Sequence, residues 1–247
     1  MKQWELFSIL DTVDSTNNYA MAQVHAGLAK HGNAWFAKDQ QAGKGQRGKQ
    51  WHSGVGENII LSIVIKPASV YSNNPFYFNA FIATICLDFF KYYTGGEVFI
   101  KWPNDIYWND RKAGGILIEN IYQNKKWKWA VAGIGININQ GSFDPVLQNP
   151  VSLKQVTGIT YDPIRLAKEL YTRIISGLAT ITWESMEGAM IKYNENLYRK
   201  NQKVRLKKEN VVFETFISGV DQKGHLITKD AIERSFAFGE VEWLISG

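Results

Sequence analysis

The residues best suited to chemistry lie in a glycine-rich, basic loop at positions 43–51. Three glycines let the backbone of this loop approach a ligand closely, and three cations accompany them with no acidic residue between positions 40 and 56. The glycines are Gly43, Gly45 and Gly48, and the cations are Lys44, Arg47 and Lys49. Such a loop can close over a phosphate or a carboxylate and exclude water. A solvated basic turn is the alternative interpretation.

The loop satisfies two nucleotide-binding patterns only formally. A dinucleotide-binding GxGxxG motif needs a helix directly after the glycines and an acid about twenty residues later. Here a strand is predicted instead, and the acidic position falls in the apolar stretch 61–65. A P-loop needs Ser or Thr after its lysine, and Gln50 stands there. Both patterns fail, so close contact of glycines and cations with an anion is the interpretation that remains.

Two later segments add candidate site residues. A Lys-Trp-Pro-Asn-Asp stretch at 101–105 is followed by Lys112, at the entrance of a predicted strand that begins with glycines. A lysine there can neutralise charge on a transferring phosphoryl oxygen, Asp105 can ligate magnesium and Asn104 can hydrogen-bond a base. In the segment 133–139, alternating glycines indicate that a ligand or another backbone lies against one face. A simple turn, a solvated lysine and a glycine-marked barrel corner are the alternatives.

Local patterns predict helices and strands without regular alternation, which is typical of an α+β fold. Capping residues, prolines and glycines mark the helices, whereas β-branched and aromatic runs mark the strands. The predicted helices run from Thr16 to about Lys30, from Pro75 to about Tyr93, from Pro163 to about Ser185, and onward to about Leu197. The predicted strands cover 34–39, 58–66, 98–102, 115–122 and 127–139. After a boundary near Tyr198, five short strands between 203 and 245 predict a small β-barrel.

Composition places the chain among ordinary globular proteins. It has 247 residues, 45% of them apolar and 21% charged, which excludes long disorder, collagen and coiled coil. One cysteine and four dispersed histidines exclude a disulfide framework and a metal site built from those residues. Without a signal-like N-terminus or a membrane-length apolar run, we expect a cytoplasmic protein with no membrane partner. The net charge of +5 fits an anionic small molecule as well as nucleic acid.

Taken together and in this order, the segments resemble those of biotin–protein ligases. The matching motifs are Ser-Thr-Asn at 15–17, the glycine-rich loop ending in Trp51, Lys-Trp-Pro-Asn-Asp with a downstream Arg-Lys-x-x-Gly, Gly-x-Gly-x-Asn-x-Asn at 133–139, and Gly-Glu-Val at 239–241. The resemblance spans nearly the whole chain. It implies the biotin/lipoyl-ligase catalytic fold, similar to class II aminoacyl-tRNA synthetases, with a mixed sheet flanked by helices over 1–197. A small Src-homology-type β-barrel is implied for 198–247.

The resemblance also implies a role for each matching residue. Biotin is expected to contact Ser15, Thr16, Asn17, Gln40, Gly43, Gly115 and Gly133, and the nucleotide to contact Gly45, Gln46, Trp51, Asn104, Lys112 and Asn137. The implied catalytic residues are Lys112, Arg47 and Lys44, and Asp105 is the implied ligand for Mg²⁺. The implied reaction joins biotin to ATP as biotinyl-5′-AMP. Biotin then passes to a lysine of the biotin carboxyl carrier domain of a carboxylase such as acetyl-CoA carboxylase.

Two features qualify the resemblance. The family usually has arginine at the position of Gln46, so control of the adenylate charge is expected to rest on Arg47 and Lys44. Some members carry an N-terminal DNA-binding domain and act as repressors. Because the Ser-Thr-Asn motif begins at residue 15 in this sequence, we expect the monofunctional type and no DNA partner.

Other interpretations stay open at this stage. A lipoate or octanoate ligase shares the implied fold, although thiol-dependent transfer is disfavoured because Cys86, the one cysteine, lies in an apolar helical run. A nucleic-acid-binding module is suggested by the positive charge and nine tryptophans, which are scattered along the chain. The apolar strand at 115–121 is either a sheet edge that pairs two subunits in a homodimer or a buried central strand.

Overall fold

The larger part of the protein is built on a seven-stranded sheet. A computed structural model describes residues 5–71, 74–147 and 149–244, and in it the strand order of this sheet is β1-β2-β3-β7-β6-β5-β4. The strands are β1 (Phe7–Val13), β2 (Ala34–Gln40), β3 (Ile59–Ile65), β4 (Val98–Lys101), β5 (Asp105–Trp108), β6 (Arg111–Gln123) and β7 (Lys126–Ile136). β1 and β2 are parallel and the other neighbouring pairs are antiparallel. The predicted mixed sheet is confirmed.

Helices cover both faces of this sheet and bury its central strands. They are α1 (Thr16–His25), α2 (Pro75–Thr94), α3 (Leu153–Thr157), α4 (Pro163–Ala179) and α5 (Trp183–Glu195). The longest, α2, belongs with α4 and α5 to the main core, whereas Ala20 of α1 packs with Val64 and Val131 in a second, smaller core. Val64 of β3 therefore faces the second core whereas its neighbours Ile63 and Ile65 face the main one, and all seven residues of the strand are buried.

Local signals explain why α2 has the predicted bounds. The side chain of Asn74 accepts a hydrogen bond from the backbone N–H of Phe76, Pro75 occupies the first turn, and Gly95 ends the helix in the left-handed region with φ of 61°. Capping oxygens, a proline at the start and a glycine at the end are the usual boundaries of a helix. The prediction for this helix is confirmed to within one residue at its C-terminus.

Two predicted helices are too long. The first ends at His25 instead of near Lys30, because the chain turns at Gly27, whose φ is 71°. The helix that starts at Pro163 ends at Ala179 instead of near Ser185. There the side chain of Thr182 caps α5 and starts a new helix. Both errors come from extending apolar periodicity across a turn.

Three elements were not predicted. Strand β1 pairs with β2, but only Phe7 among its residues is buried, so its sequence carries no alternation of apolar and polar side chains. Helix α3 spans only five residues and is started by a capping box at Ser152. Strand β5 has four residues, for which no helix or strand was predicted. Short or exposed elements leave little periodicity to detect.

The C-terminal strands form a second sheet. They are β8 (Lys203–Lys208), β9 (Val211–Val220), β10 (Leu226–Lys229), β11 (Glu233–Phe236) and β12 (Glu242–Leu244), in the order β11-β10-β9-β8-β12, and every neighbouring pair is antiparallel. Closing a barrel requires the two edge strands to hydrogen-bond to each other. Up to Leu244, the five predicted strands are present as one antiparallel sheet, and β11 and β12 do not pair within the described residues; the predicted last strand residue, Ile245, lies outside them.

The second sheet contacts the β4–β5 side of the first. The indole N–H of Trp102 donates to the carbonyl of Gly224 at 2.9 Å, and its ring lies edge-on to Phe238 with centroids 5.9 Å apart. The rings of Tyr198 and Trp243 lie 6.0 Å apart. Among the helices in the described ranges, none combines the length and apolar character needed to cross a bilayer.

Candidate active site

One face of the larger sheet carries glycines at positions where side chains would stand, and we call this strip of the sheet the trough. Gly115 of β6 is the register partner of Gly135 of β7, and Gly133 of β7 pairs with Ser62 of β3. A Cβ at Gly135 would lie 2.5 Å from the indole of Trp51, and one at Gly133 would collide with the amide of Asn17. Missing side chains therefore let other groups lie directly on the sheet, as the alternating glycines predicted.

A network of buried polar side chains lies at the β3 end of the trough. The hydroxyl of Ser62 donates to Asn17 Oδ1 at 2.6 Å and lies 2.8 Å from Thr16 Oγ1. The backbone N–H of Thr16 donates to Gln40 Oε1 at 2.9 Å, and Asn17 Nδ2 donates to Glu119 Oε2 at 2.8 Å. Because these groups include hydroxyl donors and amide oxygens, they can bind a ring that carries both N–H and C=O.

Local structure at the start of α1 holds this network in place. Ser15 is the N-cap residue of α1, and its hydroxyl accepts from the backbone N–H of Asn18. Thr16 and Asn17 therefore lie in the first turn and point toward β3, and Ser15, Thr16 and Asn17 are all buried. The predicted role of Ser15 in ligand binding stays a prediction, since its hydroxyl already caps the helix.

The other end of the trough is cationic. Lys112 stands near the start of β6, as predicted, and its Nζ lies 2.7 Å from Asp105 Oδ1. The side chains of both are about one-quarter to one-third exposed, at 32% for Lys112 and 25% for Asp105. Lys112 Nζ also lies 5.9 Å from the Trp51 ring, which rests on Gly135. At this end of the trough, the ammonium of Lys112 can bind an anion, and the carboxylate of Asp105 can bind a cation.

Two buried asparagines hold the backbone around the lysine. Asn137 Nδ2 donates to the carbonyl of Val151 at 3.1 Å and to that of Lys112 at 3.4 Å. Asn104 Nδ2 donates to the carbonyl of Ile116, whose N–H donates back to the carbonyl of Asn104 at 3.0 Å. In this structure both amides are engaged by backbone, so they position the segment that carries Lys112. Their predicted contacts with a nucleotide stay predictions.

The glycine-rich loop folds back on itself beside the trough. Lys44 and Gln50 form a β-bridge, and residues Gln46–Gly48 form a 3₁₀ turn with Arg47 in the left-handed region at φ of 55°. The guanidinium of Arg47 donates to the carbonyl of Gly239 at 2.8 Å. Of the predicted catalytic cations, Lys112 therefore lies at the trough, whereas Arg47 is held at the second sheet and Lys44 is exposed.

Three polar atoms of this loop and of the residues just after it are buried without a hydrogen-bond partner in the described part of the chain. They are Gln46 Oε1, Trp51 Nε1 and Ser53 Oγ. Buried polar atoms without partners are rare in folded proteins, so their concentration between residues 46 and 53 is consistent with a ligand or water binding there. Gly43 also allows close packing, because a Cβ at this position would collide with the carbonyl of Trp51 and the amide of Gln40.

Two polar residues of the network, Ser62 and Glu119, were not predicted from the sequence. Ser62 is the one hydroxyl in the otherwise apolar strand β3, and it is fully buried. That interruption was the available signal. Glu119 follows three apolar residues of β6, and nothing in its local sequence distinguishes it from a solvated charge; its contact with Asn17, 102 positions away, is purely tertiary.

Comparison with known proteins assigns the chain to a family. The model of the Biotin/lipoate A/B protein ligase family matches residues 9–137, which is more than half of the chain. The chain belongs to this family.

Similar individual proteins share nearly the full length of the chain or a large part of it. The Bifunctional ligase/repressor BirA of Escherichia coli is 28% identical over 241 residues, which cover 95% of this chain and 73% of that protein. The Biotin--[acetyl-CoA-carboxylase] ligase of Paracoccus denitrificans is 32% identical over 161 residues, 63% of this chain and 65% of the relative. The structure of biotin protein ligase from Aquifex aeolicus with biotin and ATP superposes with a TM-score of 0.81 at 22% identity, covering 98% and 100% of the two chains.

Proposed function

We propose that this chain is an ATP-dependent biotin–protein ligase. One observation carries the proposal: a glycine-floored trough has a buried hydroxyl and amide network at one end and the Lys112–Asp105 pair at the other. From β3, which carries Ser62, to β6, which carries Lys112, there are two strand spacings, roughly 10 Å. An elongated acid with a polar ring at one end and a carboxylate at the other fits this arrangement. The names of the similar proteins support biotin as that acid.

In the first half of the reaction, the biotin carboxylate attacks the α-phosphorus of ATP. An acyl–phosphate bond forms, the bond to the β-phosphate oxygen breaks, and pyrophosphate leaves. Two anions must approach each other in this step, so a fixed cation at the junction lowers the barrier. Lys112 is positioned for that role because β6 and Asn137 hold its backbone and Asp105 orients its ammonium.

Magnesium is part of the proposal because ATP is the nucleotide. Mg²⁺ usually takes one or two carboxylates together with phosphate oxygens, and Asp105 supplies a carboxylate at the right end of the trough. The described residues contain no cluster of three or more His, Cys, Asp and Glu side chains that could hold a metal by themselves. The residues therefore fit an ion shared with the nucleotide, which would screen the phosphate charge when bound.

In the second half, a lysine amine of a carrier domain attacks the acyl carbon of the mixed anhydride, and AMP leaves with the electron pair of the broken bond. The amine loses a proton as the amide forms. Because the anhydride is easily hydrolysed, water must be kept from it. The loop at residues 43–51 lies beside the trough and is tied to the second sheet by Arg47, which suits it to that task.

We also propose that two copies associate through β6. Strand β5 pairs with β6 only as far as Gly115, so the outer edge of β6 beyond that residue is not covered by β5. Exposed strand edges invite pairing with another chain. Sedimentation velocity with and without biotin and ATP measures this, and a monomer under both conditions would contradict it.

The function is tested by biotin-dependent ATP–pyrophosphate exchange. The purified chain should exchange labelled pyrophosphate into ATP when biotin is added and not when lipoate or octanoate is added. It should then label the lysine of a biotin carboxyl carrier domain, and a carrier with that lysine changed to arginine is the control. Exchange that depends on lipoate instead of biotin would overturn the choice of substrate.

A further inference from the structure

Lys101 belongs to the trough face of the sheet, although its residue type and position predicted no role for it. Lys101, Asp105, Gly115 and Gly135 are successive register partners across β4, β5, β6 and β7. Residues directly opposite each other in a sheet place their side chains on the same face. Gly115 confirms which face this is, because a Cβ there would lie 3.3 Å from Asp105 Oδ1 and 3.6 Å from the Trp51 ring.

The ammonium of Lys101 is held between aromatic side chains from both sheets. Its Nζ donates to the hydroxyl of Tyr107 at 3.1 Å and lies 5.0 Å from the centre of that ring. On another side it lies 5.6 Å from the ring of Trp243, which β12 of the second sheet supplies. Cations are attracted to such ring faces, so the position of the ammonium is well defined.

This ammonium makes no ion pair with any carboxylate of residues 5–71, 74–147 and 149–244. The nearest candidate, Asp105, is already paired with Lys112. Burial lowers the pKa of Lys101 to about 8; Asp105 opposes this shift, while Lys112 and Lys49 add to it. At pH 7 the group is still mostly protonated. A largely buried cation that lacks a carboxylate costs folding free energy, and a bound anion is what would offset that cost.

The position of Lys101 in the sheet indicates which anion binds there. From Gly115 on β6 to Lys101 on β4 there are two strand spacings, roughly 10 Å. Across the sheet, the order is thus the polar network on β3, then Lys112 on β6, then Lys101 on β4. In phosphoryl transfer the attacking and leaving oxygens lie roughly in line. The attacking carboxylate comes from the side of the polar network, so the leaving group is expected on the opposite side of Lys112.

We propose that Lys101 is a further anion-binding residue, which contacts the β- or γ-phosphate of the nucleotide and then the departing pyrophosphate, with Trp243 as its positioning residue. The inference rests on the proposed function for the identity of the nucleotide. With this role for Lys101, the second sheet takes part in nucleotide binding, because Trp243 lies beside the Lys101 ammonium.

Calorimetric titration with inorganic pyrophosphate at pH 7 tests the anion site directly. Lys101→Met should weaken pyrophosphate binding about ten- to a hundredfold, as expected for loss of a charged hydrogen-bonding partner, and should leave biotin binding unchanged. It should also raise Tm by about 2–4 °C, because an unpaired buried cation is removed. Lys38→Met is the matched control: Lys38 is a lysine of β2 paired with Asp11 at the surface, and neither quantity should change.

The role of Trp243 is tested by two further variants. Trp243→Leu should weaken pyrophosphate binding about two- to fivefold, since it removes a cation–π contact, and Trp243→Phe should restore most of that loss. Equal effects of the two variants would overturn the positioning role.

The outcomes separate this inference from the proposed function. If Lys101→Met binds pyrophosphate like the wild type, or lowers Tm without affecting binding, Lys101 is a structural residue and the inference is overturned. If the wild type binds pyrophosphate through Lys101 but shows no biotin-dependent exchange, the anion site stands and the proposed function fails.

Discussion

Replacement of Lys112 by alanine separates catalysis from folding. Lys112 and Asp105 are both partly exposed, and such pairs contribute about 0–1 kcal/mol to the free energy of unfolding. For a chain of this size, a loss of 1 kcal/mol lowers Tm by about 2–4 °C. Loss of one preorganised group that stabilises transition-state charge lowers the rate by about 10²–10³, or about 2.7–4 kcal/mol. Activity should therefore fall far more than stability.

The assay is biotin-dependent ATP–pyrophosphate exchange, measured beside a thermal melt of the same sample. Lys112→Ala should lose at least about a hundredfold in exchange rate while its melt remains cooperative. Lys38→Ala is the control, because it breaks an ion pair of the same 2.7 Å length at a more exposed place, where the side chains are 46% and 87% exposed; its exchange rate should equal that of the wild type. Wild-type exchange by Lys112→Ala would refute the assignment, and a proportional loss of folded protein would show that the lysine acts on stability instead.

Three further predictions concern the trough, the loop and the buried thiol. Gly133→Ala should weaken biotin binding at least about tenfold, because the added methyl group collides with the amide of Asn17; calorimetry measures this, and unchanged affinity would contradict the role of the glycine floor. Arg47→Ala should release activated biotin and label bystander proteins, because it cuts the tie to the Gly239 carbonyl; absence of such labelling would count against a closing loop. Burial raises the pKa of the Cys86 thiol, so iodoacetamide at pH 8 should leave both the thiol and the exchange activity intact, whereas rapid inactivation would disprove that burial.

Local signals were enough for the strongly marked elements. Asn74, Pro75 and Gly95 defined α2 because capping and helix termination act over a few residues. Strand β1 could not be found in the same way, since its stability comes from pairing with β2 while most of its side chains face solvent. The strand order of the C-terminal sheet likewise depends on which strands meet in space, a property that strand propensity does not encode.

The residues of the candidate site likewise fall into two groups, those evident from the sequence and those evident only from the folded structure. The glycines at 133 and 135 and the position of Lys112 at a strand entrance were evident from residue type and spacing. Ser62 and Glu119 were not, because their significance lies in contacts with Asn17, which is far away in sequence. The reaction class therefore came from motifs, whereas the polar network that we propose as the binding site for the ring of the acid became visible only in the folded chain.

By itself, the sequence determined the family pattern, the α+β character and the chemistry available at Lys112, because short motifs and local periodicity carry that information. Only the tertiary structure decided which side chains meet. The antiparallel register of β4 to β7 places Lys101, Asp105, Gly115 and Gly135 in one row, and packing of the second sheet places Trp243 over the first of them. Electrostatic coupling and burial depend on distance in space, so residues far apart in the chain acquire their joint function only when the sheet assembles them.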